Sequence, residues 1–282
     1  MLTGSINGAA KLLFVSQPAV SRIISHTEQS LGYLLFQRSK GKLVPTVEGE
    51  ALFGELDDFY QYVNHINEFA ANLARGPSHT FNISSSPCLS YSVVPAAIAQ
   101  FVQHYPRIKI NYHTALLHTM AAELLSTKVD LVVSVLPLDH PNLKVQSFAH
   151  GRMVCVIPSG HELASLDVVD LADLAKHSLI THHHSIQFGK MLEEAADAAG
   201  VKLKPRVTIL QTETACPLVR TGVGIAIVDE YTARSASSYG LEVRPIAQEI
   251  VLTPSVARSI FQHSSDYAEK FIEILVNQNS SS

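Results

Sequence analysis

The stretch Gly4-Ser5-Ile6-Asn7-Gly8-Ala9-Ala10-Lys11-Leu12-Leu13-Phe14-Val15-Ser16-Gln17-Pro18-Ala19-Val20-Ser21-Arg22 decides the architecture of the N-terminal region. After Ser5, a residue suited to cap a helix, Ile6, Ala9, Ala10 and Leu13 recur at i, i+3, i+4 and i+7, one face of an α-helix. A short break at Phe14-Val15-Ser16 leads into a second stripe, Val20, Ile23, Ile24, Thr27 and Leu31. Ser16 is placed to cap it, Pro18 falls in a first turn that needs few amide donors, and Gly32 is placed to end it. Two short helices joined by a tight turn make a helix-turn-helix. The opposite face of the second helix offers Gln17, Ser21, Arg22 and Ser25, side chains that pair with base edges and phosphates. Arg38-Ser39-Lys40-Gly41-Lys42 then reads as a Gly-turned basic hairpin, a wing able to grip a phosphate backbone. Taken alone, this pattern fits an ordinary helical hairpin with a solvated basic loop equally well.

Charge separates the same segment from the rest. The 282 residues carry a formal net charge of −4 with a pI near 6.4, which by itself argues against a nucleic-acid partner. Residues 1–45 nevertheless hold five basic side chains against Glu28 alone, a net +4, and the remainder carries −8. A basic head on an acidic body is the expected reading. At 46% hydrophobic residues the chain builds a large core, and its length predicts more than one domain. No apolar run approaches the ~20 residues of a membrane span and no secretory signal opens the chain, so a soluble cytoplasmic protein without a membrane partner is expected. Three widely spaced cysteines, Cys88, Cys155 and Cys216, form neither a disulfide framework nor a zinc motif.

Together with Glu28, Leu31-Gly32, Leu35-Phe36-Gln37-Arg38 and Thr46-Val47-Glu48-Gly49, the opening stretch resembles the winged helix-turn-helix of LysR-type transcriptional regulators. Ala9-Ala10, Ser16-Gln17-Pro18-Ala19-Val20-Ser21 and Leu-Phe-x-Arg occur in order and at that family's spacing, and the resemblance extends over essentially the whole chain. It implies an α/β architecture: a winged helix-turn-helix over residues 1–45, a long dimerising linker helix over 46–76, and a periplasmic-binding-protein-like effector domain over 80–282. Its two subdomains are expected at about 80–157 with 251–282, and at about 158–250, with crossings near Pro158 and Ile250. Gln17, Pro18, Ser21 and Arg22 are expected at base edges, and Ser5, Arg38, Lys40, Lys42 and Thr46 on or near phosphates. Family members carry roughly one more helix before Gly4-Ser5, so weakened or absent DNA binding by the 282-residue polypeptide is expected. The alternative that follows is a solute-binding or sensor protein without competent DNA binding.

Residues 46–75 contain no proline, and Leu52, Leu56, Phe59, Val63, Ile66, Ala70 and Leu73 step by alternating fours and threes. That is an a/d seam, suited to a short coiled coil rather than to the wider stripe of a helix lying on its own domain. Dimerisation lets two heads read two symmetry-related half-sites. The implied partners are double-stranded DNA, a small-molecule effector, further copies of the chain in a homodimer or homotetramer, and RNA polymerase. Arg75-Gly76-Pro77-Ser78 marks the boundary.

From Thr80 onward strand and helix patterns alternate in two series, which predicts parallel sheets in an α/β body of two subdomains. Ligands of such sheets bind at the carboxyl ends of strands, beside helix N-termini. The candidate effector groups at these handovers are Ser85, Ser86, Cys88 and Ser90 after the first strand and Ser134 after 129–133. Thr181, His183 and Ser185 follow 178–181, and Thr212 and Glu213 follow 206–210. Each Ser or Thr serves equally well as a simple helix cap; their convergence on one cleft favours binding for the set. Hydroxyls and helix N-termini suit a carboxylate, Glu213 suits an amine or guanidinium, and the head is similar to regulators of opine and amino-acid catabolism.

Enzyme readings find little purchase. His182, His183 and His184 are consecutive rather than at ligand spacing, so a polar loop is expected there. Gly222-Val223-Gly224 precedes a strand, which reads as a helix stop and not a dinucleotide fingerprint. No Gly-x-Ser-x-Gly elbow occurs, and Cys88 and Cys216 have no assignable base. No cofactor and no metal are expected, and a redox role for Cys88 ranks below a packing or ligand-contact role.

Overall fold

The structure, a computed structural model, describes residues 5–39, 42–56, 59, 63, 80–261 and 266–279. It divides into two compact units, Met1–Gly76 and Pro77–Ser282.

In the first unit α1 (Ile6–Leu12) starts at Ser5, whose hydroxyl accepts the Gly8 amide at 3.1 Å. After a turn with Phe14 at φ 55°, α2 (Gln17–Leu31) begins at Ser16 and ends at Gly32, which at φ 80° supplies the left-handed terminus. Ser16 holds the cap position by its extended backbone alone; its side chain makes no capping bond. Glu28 ties this helix to the wing, its Oε1 accepting the amides of Leu35 (2.7 Å) and Phe36 (3.1 Å). The wing is β1 (Phe36–Ser39) antiparallel to β2 (Lys42–Pro45), with Arg38 opposite Leu43. Residues 47–56 form the start of α3, and residues 59 and 63 are helical too. Along the predicted seam Leu56 and Phe59 are exposed; Ile66, Ala70, Leu73 and the boundary at 75–78 lie outside the described residues.

The second unit holds two mixed sheets. In the first, β3 (Thr80–Ser85) lies parallel to β4 (Lys109–Thr114) and β5 (Leu131–Ser134), and β13 (Ser255–Ser259) runs antiparallel between β5 and β6 (Leu143–Ser147). The second has the order β11 (Leu241–Pro245), β7 (Gly151–Pro158), β10 (Ile225–Asp229), β8 (Leu179–His182) and β9 (Pro205–Ile209). Here β10, β8 and β9 are parallel, while β7 is antiparallel to β10, β11 and the short β12 (Val251–Leu252). The all-parallel expectation therefore fails where the chain returns between sheets. The first crossing also moves. All of β7 pairs within the second sheet, so the chain leaves the first sheet at residues 148–150 and not near Pro158. The return follows β12, a few residues beyond Ile250. The two crossings are bonded side by side, through the Gly151–Leu252 pair and Phe148 N–H to Pro254 O at 3.0 Å.

Helices α4 (Val93–His104), α5 (Leu117–Leu125) and α10 (Asp266–Asn279) accompany the first sheet; α7 (Gln187–Ala198), α8 (Ala215–Arg220) and α9 (Glu230–Ala233) accompany the second. The short α6 (Leu171–Leu174) precedes β8. One apolar core runs through both subdomains, from Phe81, Phe101 and Phe271 to Leu179, Ile227 and Tyr231.

Gly222 takes φ 79° at the end of α8, as a helix stop requires. Gly224 has a different reason: a Cβ there would sit 2.0 Å from the Ser178 carbonyl oxygen, where β10 starts against β8. Gly224→Ala should therefore cost about 1–3 kcal/mol, read as a lower midpoint in urea with an unchanged slope.

On α5, away from the strand ends, Glu123 accepts from Lys128 (2.9 Å) and bonds His113 Nε2 (3.0 Å). Burial alone would raise its pKa; Lys128, His113 and Ser84 override it and hold the carboxyl below its ordinary value. A depressed carboxylate contributes stability above its unfolded pKa that is lost as pH falls through the folded one. Glu123→Gln should thus be less stable than the parent at pH 7, the difference closing on acidification below the usual carboxylate range. A difference constant between pH 7 and pH 3 in denaturant titrations would contradict this.

Candidate functional site

In the head, α2 carries exposed Gln17, Pro18 and Arg22 and half-buried Ser21, with Val20 buried. Pro18 and Arg22 lie across the helix from Val20, Ser21 lies on its flank, and Gln17 is exposed as the first residue of the helix. Arg38 is exposed on β1. Lys40 lies outside the described residues, and of Lys42 only the backbone, in β2, is described. Thr46 corrects the expectation. Its hydroxyl donates to Leu34 O at 2.7 Å and accepts Gly49 N–H at 3.0 Å, and its amide donates to Leu35 O at 3.0 Å. With both its protons committed it has none for a phosphate, which offers only acceptors; Thr46 caps α3 and anchors the wing.

In the second unit, two 3-10 turns meet. Pro87–Ser90 follows β3, and Thr212–Thr214 follows β9; each packs against the other, and the first also packs against α9. This sets the turn that holds Cys88 and Ser90 beside the turn that holds Thr212 and Glu213. The remaining candidates divide. Ser85 is buried and bonded through Oγ to the Tyr112 hydroxyl at 2.7 Å. Ser86 is buried, its Oγ accepting the Val135 amide at 3.0 Å. Ser90 donates to Pro87 O at 2.6 Å and closes its own turn. Ser134 is a residue of β5 rather than of the loop after it, and it gives its hydroxyl proton to Ser255 O at 3.2 Å. That proton serves the sheet, not a ligand. Thr181 is buried within β8. His183 and Ser185 bond one another, Nδ1 to Oγ at 2.8 Å, and so form a local turn.

Cys88 is 2% exposed. Burial, and then the Asp229 carboxylate beside it, push its thiol well above the ordinary range, so it persists as the thiol and is no low-pKa sensor. Asp229, wholly buried at the end of β10, accepts the Thr232 amide and hydroxyl, both at 2.8 Å, and so caps α9. Burial raises its pKa against those hydrogen bonds. Glu213 is exposed, and its charge adds to burial in raising the neighbouring Tyr91 hydroxyl.

Three polar residues at this centre escaped the sequence reading: Tyr112, His182 and Asp229. Asp229-x-x-Thr232 after four apolar residues is a cap signal available in the sequence. His182 needed only one more step of β8. Its Nε2 lies 3.0 Å from Thr212 Oγ1. Among the described residues no cluster of three His, Cys, Asp or Glu is placed to hold a metal, and no helix is long and apolar enough to cross a membrane.

Comparison with known proteins follows the same division. A family model described as "LysR substrate binding domain" matches residues 74–280, and one described as "Bacterial regulatory helix-turn-helix protein, lysR family" matches residues 1–50. The second match does not favour the alternative of a solute-binding or sensor protein without competent DNA binding. The chain is 31% identical to the HTH-type transcriptional regulator DgcR of Pseudoalteromonas sp, over 98% of this chain and 94% of that protein. Identity to the octopine catabolism/uptake operon regulatory protein OccR of Rhizobium meliloti is 29%, over 88% of this chain and 82% of the other. The effector binding domain of QuiR in complex with shikimate has the same fold, with a TM-score of 0.63 at 16% identity, covering 73% of this chain and 99% of that one.

Proposed function

Because the chain belongs to the LysR family of DNA-binding transcriptional regulators, we propose that a small carboxylate-bearing or amino-acid-like metabolite, held between its two α/β subdomains, switches its grip on an operator. The observation that carries this reading is the meeting of the turns Pro87–Ser90 and Thr212–Thr214, each at the carboxyl end of a strand. Strand ends in open α/β sheets are where ligands bind, and amides and hydroxyls there suit a carboxylate. Exposed Glu213 suits an amine or guanidinium. The similarity to a regulator of octopine catabolism supports an opine or amino acid. Ligand shifts the balance between open and closed subdomains, and with it the spacing of the heads.

On DNA, Gln17, Pro18, Ser21 and Arg22 meet base edges, while Ser5, Arg38, Lys40 and Lys42 serve phosphates. The seam of α3 joins copies into a homo-oligomer whose heads read paired half-sites, and RNA polymerase is the further partner at the promoter. Thermal unfolding in the presence of octopine, L-arginine, L-lysine and shikimate tests the effector class. A binder present at a hundred times its Kd adds about 2.7 kcal/mol to the native state and raises the melting temperature. A panel without a single shift at millimolar concentration contradicts the proposal.

A further inference from the structure

His182 ends β8 with only 4% of its surface exposed. Its ring stands edge-on to Phe188 at 5.1 Å between centroids, and Nε2 is engaged with Thr212. Nδ1 is buried and meets no hydrogen-bond partner among the described residues. A polar atom withdrawn from water without a partner is costly, and proteins keep few of them. One that persists at the carboxyl end of a parallel strand, beside the turn that meets the other subdomain, is suited by a partner that arrives with a ligand. Burial pulls the imidazole down to a pKa of about 4, so the ring is neutral and carries one proton. The His182–Thr212 contact fits either direction; the direction in which the Thr212 hydroxyl donates to Nε2 leaves the ring proton on Nδ1 and makes the unpartnered nitrogen a donor. Its complement is an anionic or carbonyl oxygen.

We infer that His182 is the specificity-determining group of the effector site, donating its Nδ1 proton to a carboxylate oxygen of the effector while Nε2 holds Thr212. The inference rests on the effector reading above and deepens it. Nδ1 is covered, so a ligand reaches it as the covering groups part. Thr212 belongs to the turn packed on Pro87–Ser90, which gives the same hydrogen-bonded unit a direct route from ligand to subdomain contact. A neutral donor also explains how a histidine reads a carboxylate without making binding depend on its own charge between pH 6 and 8.

Two near-isosteric variants separate the nitrogens. His182→Gln places an amide near Nε2, keeping the Thr212 bond and removing the Nδ1 donor. His182→Asn places one near Nδ1 and gives up Thr212. Calorimetric titration of the full chain with octopine, L-arginine and shikimate, and with agmatine as arginine lacking its carboxylate, reads both. The expected result is that His182→Gln keeps the parent melting temperature but binds the carboxylate probe about tenfold or more weakly. His182→Asn binds it more tightly than His182→Gln, and agmatine does not bind the parent. Equal affinity of His182→Gln and parent, or equal losses in both variants, overturns the inference while leaving the effector reading intact. Failure of every probe to bind the parent overturns the effector reading itself. Should His182→Gln not fold, the 15N spectrum of the parent imidazole decides: a proton on Nδ1 whose resonance moves with the probe supports the assignment, and a proton on Nε2 in both states overturns it.

Discussion

Phe101→Ala should lower the melting temperature of the C-terminal unit by roughly 6–20 °C, the equivalent of about 3–5 kcal/mol in a unit of this size. The ring is fully buried on α4 and lies 5.4 Å from Phe81 on β3, 5.4 Å from Phe271 on α10 and 4.9 Å from Tyr105. Removing it takes away both the transfer energy of a large side chain and its ring-on-ring contacts. Elements from the two ends of the domain's sequence meet there, β3 and α4 from one end and α10 from the other, so the cavity cannot close by moving one loop. β3 also leads into the Pro87–Ser90 turn, so ligand affinity should fall together with stability. Phe101→Leu, which fills much of the volume, should recover most of the loss. Scanning calorimetry of the three proteins checks this; a loss below about 1 kcal/mol for the alanine variant would mean the aromatic cluster is not a keystone.

Arg22→Ala should weaken binding to the cognate operator by roughly tenfold to a hundredfold and relax preference at one base position per half-site. Arg22 is exposed across α2 from buried Val20, within the basic segment 1–45. Lys40→Ala should act differently. A phosphate contact carries no sequence information, so all duplexes weaken alike and the slope of log affinity against log salt falls by about one. Fluorescence anisotropy on operator and scrambled duplexes over a range of salt separates the two. If both variants lost the same factor on both duplexes, the division into base-reading and phosphate-gripping residues would fail.

Much of this was legible because it is local. Helices α1 and α2 follow from stripes at 3.6-residue spacing, and Gly32 and Gly222 from the left-handed geometry that helix stops need. β3, β8 and β10 follow from short apolar runs. What was not legible depends on partners distant in sequence. β6, β11 and β13 mix polar and apolar residues and are strands only because antiparallel neighbours complete them. Pro158 reads as a boundary, yet β7 runs up to it inside the second sheet, because a crossing is set by which strand lies alongside and not by the nearest proline. Ser134 and Thr46 look like ligand groups by residue type; their hydroxyl protons go to Ser255 O and Leu34 O. Its residue types predict a polar loop for the histidine run, yet its first member, His182, is buried. The charge asymmetry, by contrast, kept its meaning: the basic segment is the part that folds into the helix-turn-helix and wing.

The central claim is that one chain couples a sequence-reading head to an effector-binding body. Selection of duplexes from a randomised pool by the full chain, followed by affinity measurement with and without octopine, L-arginine, L-lysine and shikimate, tests it most directly. The expected result is enrichment of a two-fold symmetric site over random DNA, with its affinity or half-site spacing changed by one member of the panel. Equal affinity for every duplex, unmoved by any of the four compounds, would contradict it.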